Sequence, residues 1–422
     1  MQTRELRQAH WHKNSQIFLQ VQQYIDWSLF NRAVKAHNGE KGAKGITCKS
    51  QFVTMLFSAL AGGDSLNDAV EGISTVRGHL NHIGIGRIPS RSNLAYANNN
   101  RPWEIYRDFF EGFAARASEK LFGKKKPSRL KRKIFSVDST TIPLCLKLFD
   151  WAKFHHSKGG VKVHTVLDHD SLLPTMLSIS EAAKHDYPAF RGLLKDRADF
   201  FGEGFVMLMD RGYVSFDLFA DIALKKAIFV TRVKDNMSYE VVCERGLPAR
   251  GCVIADQDVR FSNKKAEKCG TLRVVTAKIE ERDKTKTYRF LTNCTDLAAS
   301  TIVELYRARW QVELFFKQLK QNLKIKSFMG TSENAVRTQI YVSMISIILL
   351  RLLKDISDSR REERGVKKLG FSVFVQILRI SLLRSFPLEL WLYDPMAPPG
   401  ELSRNPDQLD LFADCLVQPT AS

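Results

Sequence analysis

The stretch that most constrains this chain is residues 306–320, YRARWQVELFFKQLK. At about 100° per residue, Leu305, Val312, Phe315, Phe316, Leu319 and Leu323 line up as one apolar stripe. The segment therefore reads as a helix that buries that stripe against a core. Beside the stripe, Tyr306, Arg309, Glu313, Lys317 and Lys320 fall within less than a quarter turn. A single carboxylate is held there among three cations and a phenol. Two readings of this face are open. It is a solvated surface joined by pairs such as Glu313 with Lys317, or it is a site where a carboxylate binds a hard metal and cations bind phosphate.

Two more carboxylates bear on that choice. From Ile134 the pattern alternates between strands and helices. IFSVDST is a short apolar run ending in Asp138, and VKVHTVLD and LLPTMLSIS predict two further strands, giving a meander of three. A short amphipathic helix is expected over 186–194. A buried strand, FVMLM, then ends at Asp210, followed by a helix over 215–226 and the strand AIFVTRV. Asp138 and Asp210 are both expected at the carboxyl end of an apolar strand, where open α/β sheets place active sites. Either one alone reads as a turn or N-cap residue. Together with Glu313 they make three carboxylates, the set that two divalent ions need for in-line attack at a phosphodiester.

The surrounding chain divides by composition. Residues 1–122 predict an all-helical unit, with Ser65 opening a capping box and Arg91 heading an Arg-, Ser- and Asn-rich helix suited to phosphates and base edges. Residues 123–133 form a linker that carries KKKPSRLKRK, with Lys131, Arg132 and Lys133 placed for DNA backbone contact. The α/β core is expected over 134–236 and 288–400, interrupted by a β-rich insertion over 237–287. Beyond Glu313 the pattern predicts a long apolar helix over 335–355, a charged loop SRREERGVKK, a last helix over 371–383 and an irregular stretch over 387–399. Residues 401–422 read as a flexible acidic tail.

Charge narrows the partner. Lys and Arg outnumber Asp and Glu by 64 to 45, a formal +19 on 422 residues. That excess predicts a polyanion, most simply double-stranded DNA. Residues 1–133 carry 22 basic against 10 acidic side chains, whereas the tail from Met396 carries one Arg against four acids. No apolar run is long enough for a membrane span, and the polar opening MQTRELRQAHWHKN is not a secretory signal. Seven scattered Cys without a CxxC pair predict reduced thiols in a cytoplasm. A zinc site on Cys243, Cys252 and Cys269 has no supporting ligand spacing.

These motifs carry a resemblance. The chain resembles bacterial insertion-sequence transposases of the IS-four family, whose signature Tyr-x2-Arg-x3-Glu-x6-Lys stands here as Tyr306, Arg309, Glu313 and Lys320. VDSTTIPL and MDRGY match the family's two Asp motifs, and FMGTSENAVRTQI matches the segment after the Glu helix. KAHNGEKGAKGITC and GIGRIPSRSNL are similar to a helical domain found ahead of this core in one branch. The resemblance implies a ribonuclease-H-like core in which Asp138, Asp210 and Glu313 bind two Mg2+ ions, with Mn2+ able to substitute. It implies that Tyr306, Arg309 and Lys320 hold transposon-end phosphates, that the substrates are terminal inverted repeats and target DNA, and that the protein works as a homodimer on DNA in the bacterial nucleoid. Lys158, Lys162, His164 and His185 are candidates to line the DNA path.

Relatives use a Trp in the insertion to take a flipped base. No Trp lies between Asp210 and Arg309 here, which leaves Phe229, Tyr239, Phe261, Tyr288 or Phe290. A stand-alone metal-dependent nuclease and an inactive DNA-binding regulator are the alternatives. Within the tail, Gln408, Leu409, Asp410, Leu411 and Phe412 resemble the pentapeptide that binds the bacterial sliding clamp. The other reading of QLDLF is an amphipathic last turn folded back on the core.

Overall fold

The computed structural model describes residues 15–122, 130, 132–144, 149, 151, 153–155, 158–182, 185–197, 200–281, 284–323 and 328–396. Its first part is helical: α1 (Ile17–Val21), α2 (Trp27–Ala36), α3 (Cys48–Ala61), α4 (Leu66–Ser74), α5 (Arg91–Asn100) and α6 (Glu104–Phe122). Local chemistry sets where these helices start. The Thr47 and Ser90 side chains accept the orphan N–H groups of α3 and α5. Ser65 and Asp68 form the expected reciprocal capping box on α4. Helix α3 stops at Gly62, whose φ of 80° is left-handed and favours glycine.

The sheet begins with β1 (Ile134–Leu144), β2 (Lys153–His155), β3 (Lys158–Asp168) and β4 (Pro174–Glu181). Helix α7 (Asp186–Asp196), β5 (Val206–Met209), α8 (Phe216–Leu224) and β6 (Ile228–Arg232) follow, then β7 (Tyr239–Glu244), β8 (Val253–Phe261), β9 (Leu272–Glu281) and β10 (Lys284–Thr292). All belong to one 10-stranded sheet of order β2-β3-β1-β5-β6-β10-β9-β8-β7, with β4 also on β3. The expected meander is present: β3 pairs antiparallel with both β1 and β4. Strands β5 and β6 run parallel to β1.

Asp138 does not end its strand, contrary to the sequence expectation. Strand β1 continues to Leu144 because β3 pairs with it from Phe135↔Asp168 to Leu144↔Gly159. What ends near Asp138 is the parallel ladder with β5, whose last pair is Val137↔Met209. Asp138 and Asp210 are the next residues on either side.

Residues 239–292 carry β7–β10, whose strands extend the same sheet. Strand β10 crosses the expected boundary at 288, pairing with β9 along its length and with β6 only over residues 290–292. Arg273 and Asp256, each 4% exposed, form a buried ion pair on β9 and β8. Arg273 Nη1 also donates to the carbonyls of Cys294 and Leu297, which fastens this part of the sheet to the loop before the next helix.

That helix is α9 (Ala299–Ala308), followed by α10 (Trp310–Asn322), α11 (Glu333–Glu363), α12 (Phe371–Ser381) and α13 (Leu388–Tyr393). Three expectations need correction. The single helix over 306–320 is two helices meeting at Arg309. There Arg309 N donates to Tyr306 O and Val312 N to Arg309 O, tight three-residue turns at the junction. Helix α11 runs on to Glu363, through half of the expected charged loop, because buried Arg361 anchors it to Lys367 O and Asp394. Within the irregular stretch, α13 forms by burying Leu388, Trp391 and Leu392.

One apolar core joins α1–α6 to α10–α13 and to side chains of β1, β3 and β4. Two others cover opposite faces of the sheet. One includes Val137, Met207 and Met209 with α7 and α8, and the other Val206, Leu208 and Val230 with α9. The alternation along β5 follows from the strand period of two. Among the described residues no helix is long and apolar enough to cross a membrane. Cys48, Cys243, Cys252, Cys269 and Cys294 are free thiols, and no described group of three His, Cys, Asp or Glu stands placed to hold an ion.

Candidate active site

Three elements converge at the end of the parallel ladder. Strand β1 brings Asp138, the turn after β5 brings Asp210, and the first turn of α10 brings Glu313. The Asp138 carboxylate is fixed on both sides. Its Oδ1 accepts from Ser139 N at 2.8 Å, and its Oδ2 faces Arg309 Nη1 at 3.4 Å. The other guanidinium arm, Nη2, donates to Glu313 Oε1 at 2.5 Å. Arg309 thus bridges the strand acid and the helix acid. Its Cζ also lies 5.5 Å from the centre of the Tyr306 ring, and Tyr306 packs on Phe290 at 5.1 Å.

Burial pushes the Asp138 carboxyl up to about 6, helped by negative Asp210 and Glu313 and opposed by the Ser139 N–H and Arg309. Asp210 and Glu313 are therefore close enough for Asp138 to feel their charge. Burial likewise raises the Tyr306 phenol, which senses Arg309, Asp210 and Arg232. In kind, three carboxylates suit a hard divalent cation. In placement they are not gathered as ligands among the described residues, and a guanidinium stands between two of them. A cation entering between Asp138 and Glu313 would compete with Arg309.

The other sequence candidates are distributed. Lys317 is exposed on α10 and Lys320 half-buried on it. Arg91 is exposed in the first turn of α5, a helix that packs on α4 and α11. Arg132 is committed to Asp296 at 2.6 Å, and Lys133 beside it is exposed. Lys131 and the pentapeptide at Gln408–Phe412 lie outside the described residues. Of the aromatic candidates, Phe229, Phe261 and Phe290 are buried, Phe229 stacking on Phe219 at 4.0 Å. Tyr239 and Tyr288 are half-buried.

Sequence reasoning missed three side chains here. Trp310 follows Arg309 directly and is 57% exposed at the head of α10. Arg232 ends β6 with its guanidinium 4.3 Å over the Tyr288 ring, and Arg211 follows Asp210 and pairs with Asp235. The Nε atoms of Arg211, Arg232 and Arg309 are buried without a hydrogen-bond partner among the described residues. A sequence signal existed for each. Arg211 and Trp310 adjoin predicted site residues, and Arg232 is the last but one residue of a predicted strand.

Comparison with known proteins bears on this arrangement. Residues 129–349 match the family of transposase DDE domains, and residues 13–86 match a family described as a domain of unknown function. The protein named transposase y4zB from Sinorhizobium fredii is 36% identical over 269 residues, 63% of this chain and 71% of that protein. The transposase named for insertion sequence element IS5377 from Geobacillus stearothermophilus is 29% identical over 234 residues, 55% of this chain and 59% of that one. The one named for element IS4SA from Synechocystis is 25% identical over 266 residues, 62% and 71% of the two chains. A solved piggyBac transposase synaptic complex with hairpin DNA aligns with a TM-score of 0.45 at 14% identity, covering 96% of this chain and 86% of that one.

The family match, and not the sheet topology, sets the class of enzyme. The chain belongs to the DDE transposase family. It is a DNA transposase whose chemistry depends on a divalent metal.

Proposed function

We propose that the protein cuts the ends of its own insertion sequence and joins them to target DNA, with Asp138, Asp210 and Glu313 as the metal-binding acids. The observation that carries this is Arg309 spanning Asp138 and Glu313 beside Asp210, a charge arrangement built to exchange one cation for another. Two Mg2+ ions, or Mn2+, held there would activate the attacking hydroxyl and neutralise the leaving oxygen. The remaining work belongs to the chain. Arg309, displaced from the acids, has two free arms and a buried Nε to offer a DNA phosphate. Tyr306 and Lys320 extend that surface, and Lys317 lies on the same helix. Exposed Trp310 offers a stacking face for an unpaired base, a role that buried Phe229, Phe261 and Phe290 cannot fill.

The strand order β4-β3-β1-β5-β6, antiparallel then parallel, supports a ribonuclease-H-like core. On this reading residues 134–236 and 288–400 are that core, 237–287 an insertion, 1–122 an end-binding helical unit with Arg91, and 123–133 a basic linker with Lys131, Arg132 and Lys133. Membership of the IS-four branch rests on the Tyr306, Arg309, Glu313 and Lys320 signature. Joining two ends calls for a homodimer on DNA. A complex of one protomer with one end that transposes would sink that part. Gln408, Leu409, Asp410, Leu411 and Phe412 are proposed to bind a bacterial sliding clamp. A peptide spanning 405–415 that gives no calorimetric heat with the clamp would remove the idea.

The deciding experiment incubates the protein with Mg2+ and a supercoiled plasmid carrying the element's terminal repeats. Joined products support the proposal. Unselective nicks would make it a nuclease, and binding without cleavage a regulator.

A further inference from the structure

A second polar cluster stands behind Asp138. Asp186 is the first residue of α7. Its Oδ1 accepts from Ser139 Oγ at 2.7 Å, and Ser139 is the residue after Asp138. The same oxygen lies 3.2 Å from Lys162 Nζ and 3.7 Å from His164 Nδ1, both on β3. Its Oδ2 faces the other acid's turn. It lies 3.0 Å from where a Cβ on Gly212 would stand, and Gly212 is two residues past Asp210. Buried Tyr213 adjoins the cluster, its phenol raised by burial and by both Asp138 and Asp186.

This placement answers a mechanical problem. The β1–β5 ladder ends at Val137↔Met209, so its hydrogen bonds do not set the spacing of Asp138 and Asp210 beyond it. Metal ligands need their geometry held by surrounding groups. Asp186 bonds the first segment and packs closely against the second. Its charge is taken up by Lys162, whose side chain is 15% exposed, and by the Ser139 hydroxyl. That leaves it suited to orient neighbours and ill suited to ligate an ion.

We propose that Asp186 is a positioning residue, bonding the Asp138 strand through Ser139 and packing its other oxygen against the Asp210 turn at Gly212, with the Lys162 ammonium holding Asp186 itself. This rests on the reading of Asp138 and Asp210 as metal-binding acids. Gly212 is then required for closeness, since a methyl there meets the Asp186 carboxylate.

The test uses the full chain and Tb3+ as a luminescent metal probe, alongside single-turnover cleavage against Mg2+ concentration, thermal melting and binding of end DNA. Asp186→Asn is expected to weaken Tb3+ binding about tenfold and raise the Mg2+ requirement in parallel, as loss of a group supporting metal ligands does. End-DNA affinity should not change. Gly212→Ala and Ser139→Ala should move both metal readouts in the same direction. Wild-type Tb3+ affinity and Mg2+ dependence in folded Asp186→Asn would overturn the proposal. If Asp186→Asn does not fold, wild-type metal readouts in both Gly212→Ala and Ser139→Ala overturn it instead. Asp138→Asn and Asp210→Asn are measured beside them. Undiminished Tb3+ binding in those two overturns the reading of the acids, and this proposal with it. Lost binding there with wild-type behaviour in the Asp186, Gly212 and Ser139 variants overturns the positioning role alone.

Discussion

Arg309 Nη1 lies 3.4 Å from Asp138 Oδ2, although 171 positions separate the two residues in sequence. Through its second arm the same guanidinium holds Glu313 at 2.5 Å. Fixing a cation between Asp138 and Glu313 lowers the cost of holding like charges together, and Asp138 also feels Asp210. It also means that any cation entering the site competes with Arg309.

Each acid is expected to be indispensable for cleavage and dispensable for end recognition. Asp138→Ala, Asp210→Ala and Glu313→Ala should each abolish cutting of a terminal-repeat plasmid. A gel-shift assay should show end binding largely kept, because on the proposed reading these side chains serve the metal and not the bases. Cleavage surviving in any one variant would remove that residue from the site.

Arg309 and Lys320 are expected to meet phosphate once DNA is bound. Replacing either with Ala should lower the slope of log affinity against log salt by roughly one counterion. Affinity titrations of end DNA across a salt series read this directly. An unchanged slope in both variants would mean neither touches the backbone.

Stability should fall in mild acid through His169. Its Nε2 meets Ser136 Oγ at 2.5 Å, and burial pushes the imidazole down to about 4 from an ordinary 6.5. A base depressed in the folded state stabilises fully above its unfolded pKa and loses that contribution as pH falls through the folded value. The window is therefore pH 6.5 down to 4, and the loss is up to about 3 kcal/mol. Urea unfolding at pH 7 and pH 4 should show a smaller acid loss in His169→Gln than in wild type. Equal losses would clear His169.

The sheet extension should depend on the buried Arg273–Asp256 pair. Arg273→Leu alone leaves a buried carboxylate uncompensated and should cost about 3–5 kcal/mol. Adding Asp256→Leu should recover much of that, because the desolvation penalty goes with the charge. A double variant as unstable as the single in denaturant melts would show that the hydrogen bonds to Cys294 O and Leu297 O matter more than the charges.

Sequence by itself determined what is local. The apolar stripe of Val312, Phe315, Phe316 and Leu319, the Ser65–Asp68 capping box, the β1-β3-β4 meander and the order of the three acid-bearing segments are all written in periodicity and spacing, and all are present in the fold. The sequence put Arg309 and Glu313 on one helix face but paired Glu313 with Lys317; the structure pairs it with Arg309. Tertiary structure decided the rest. The length of β1 was set by its partner β3, not by its own sequence. The continuation of α11 to Glu363 and the turn of α13 depended on burial against distant helices. Arg309 reaching Asp138, and Asp186 reaching Ser139, depend on where the β1–β5 ladder stops and how α7 and α10 pack beside it. Those contacts join residues far apart along the chain, and only the register of the sheet and the packing of helices on it bring them within hydrogen-bond reach.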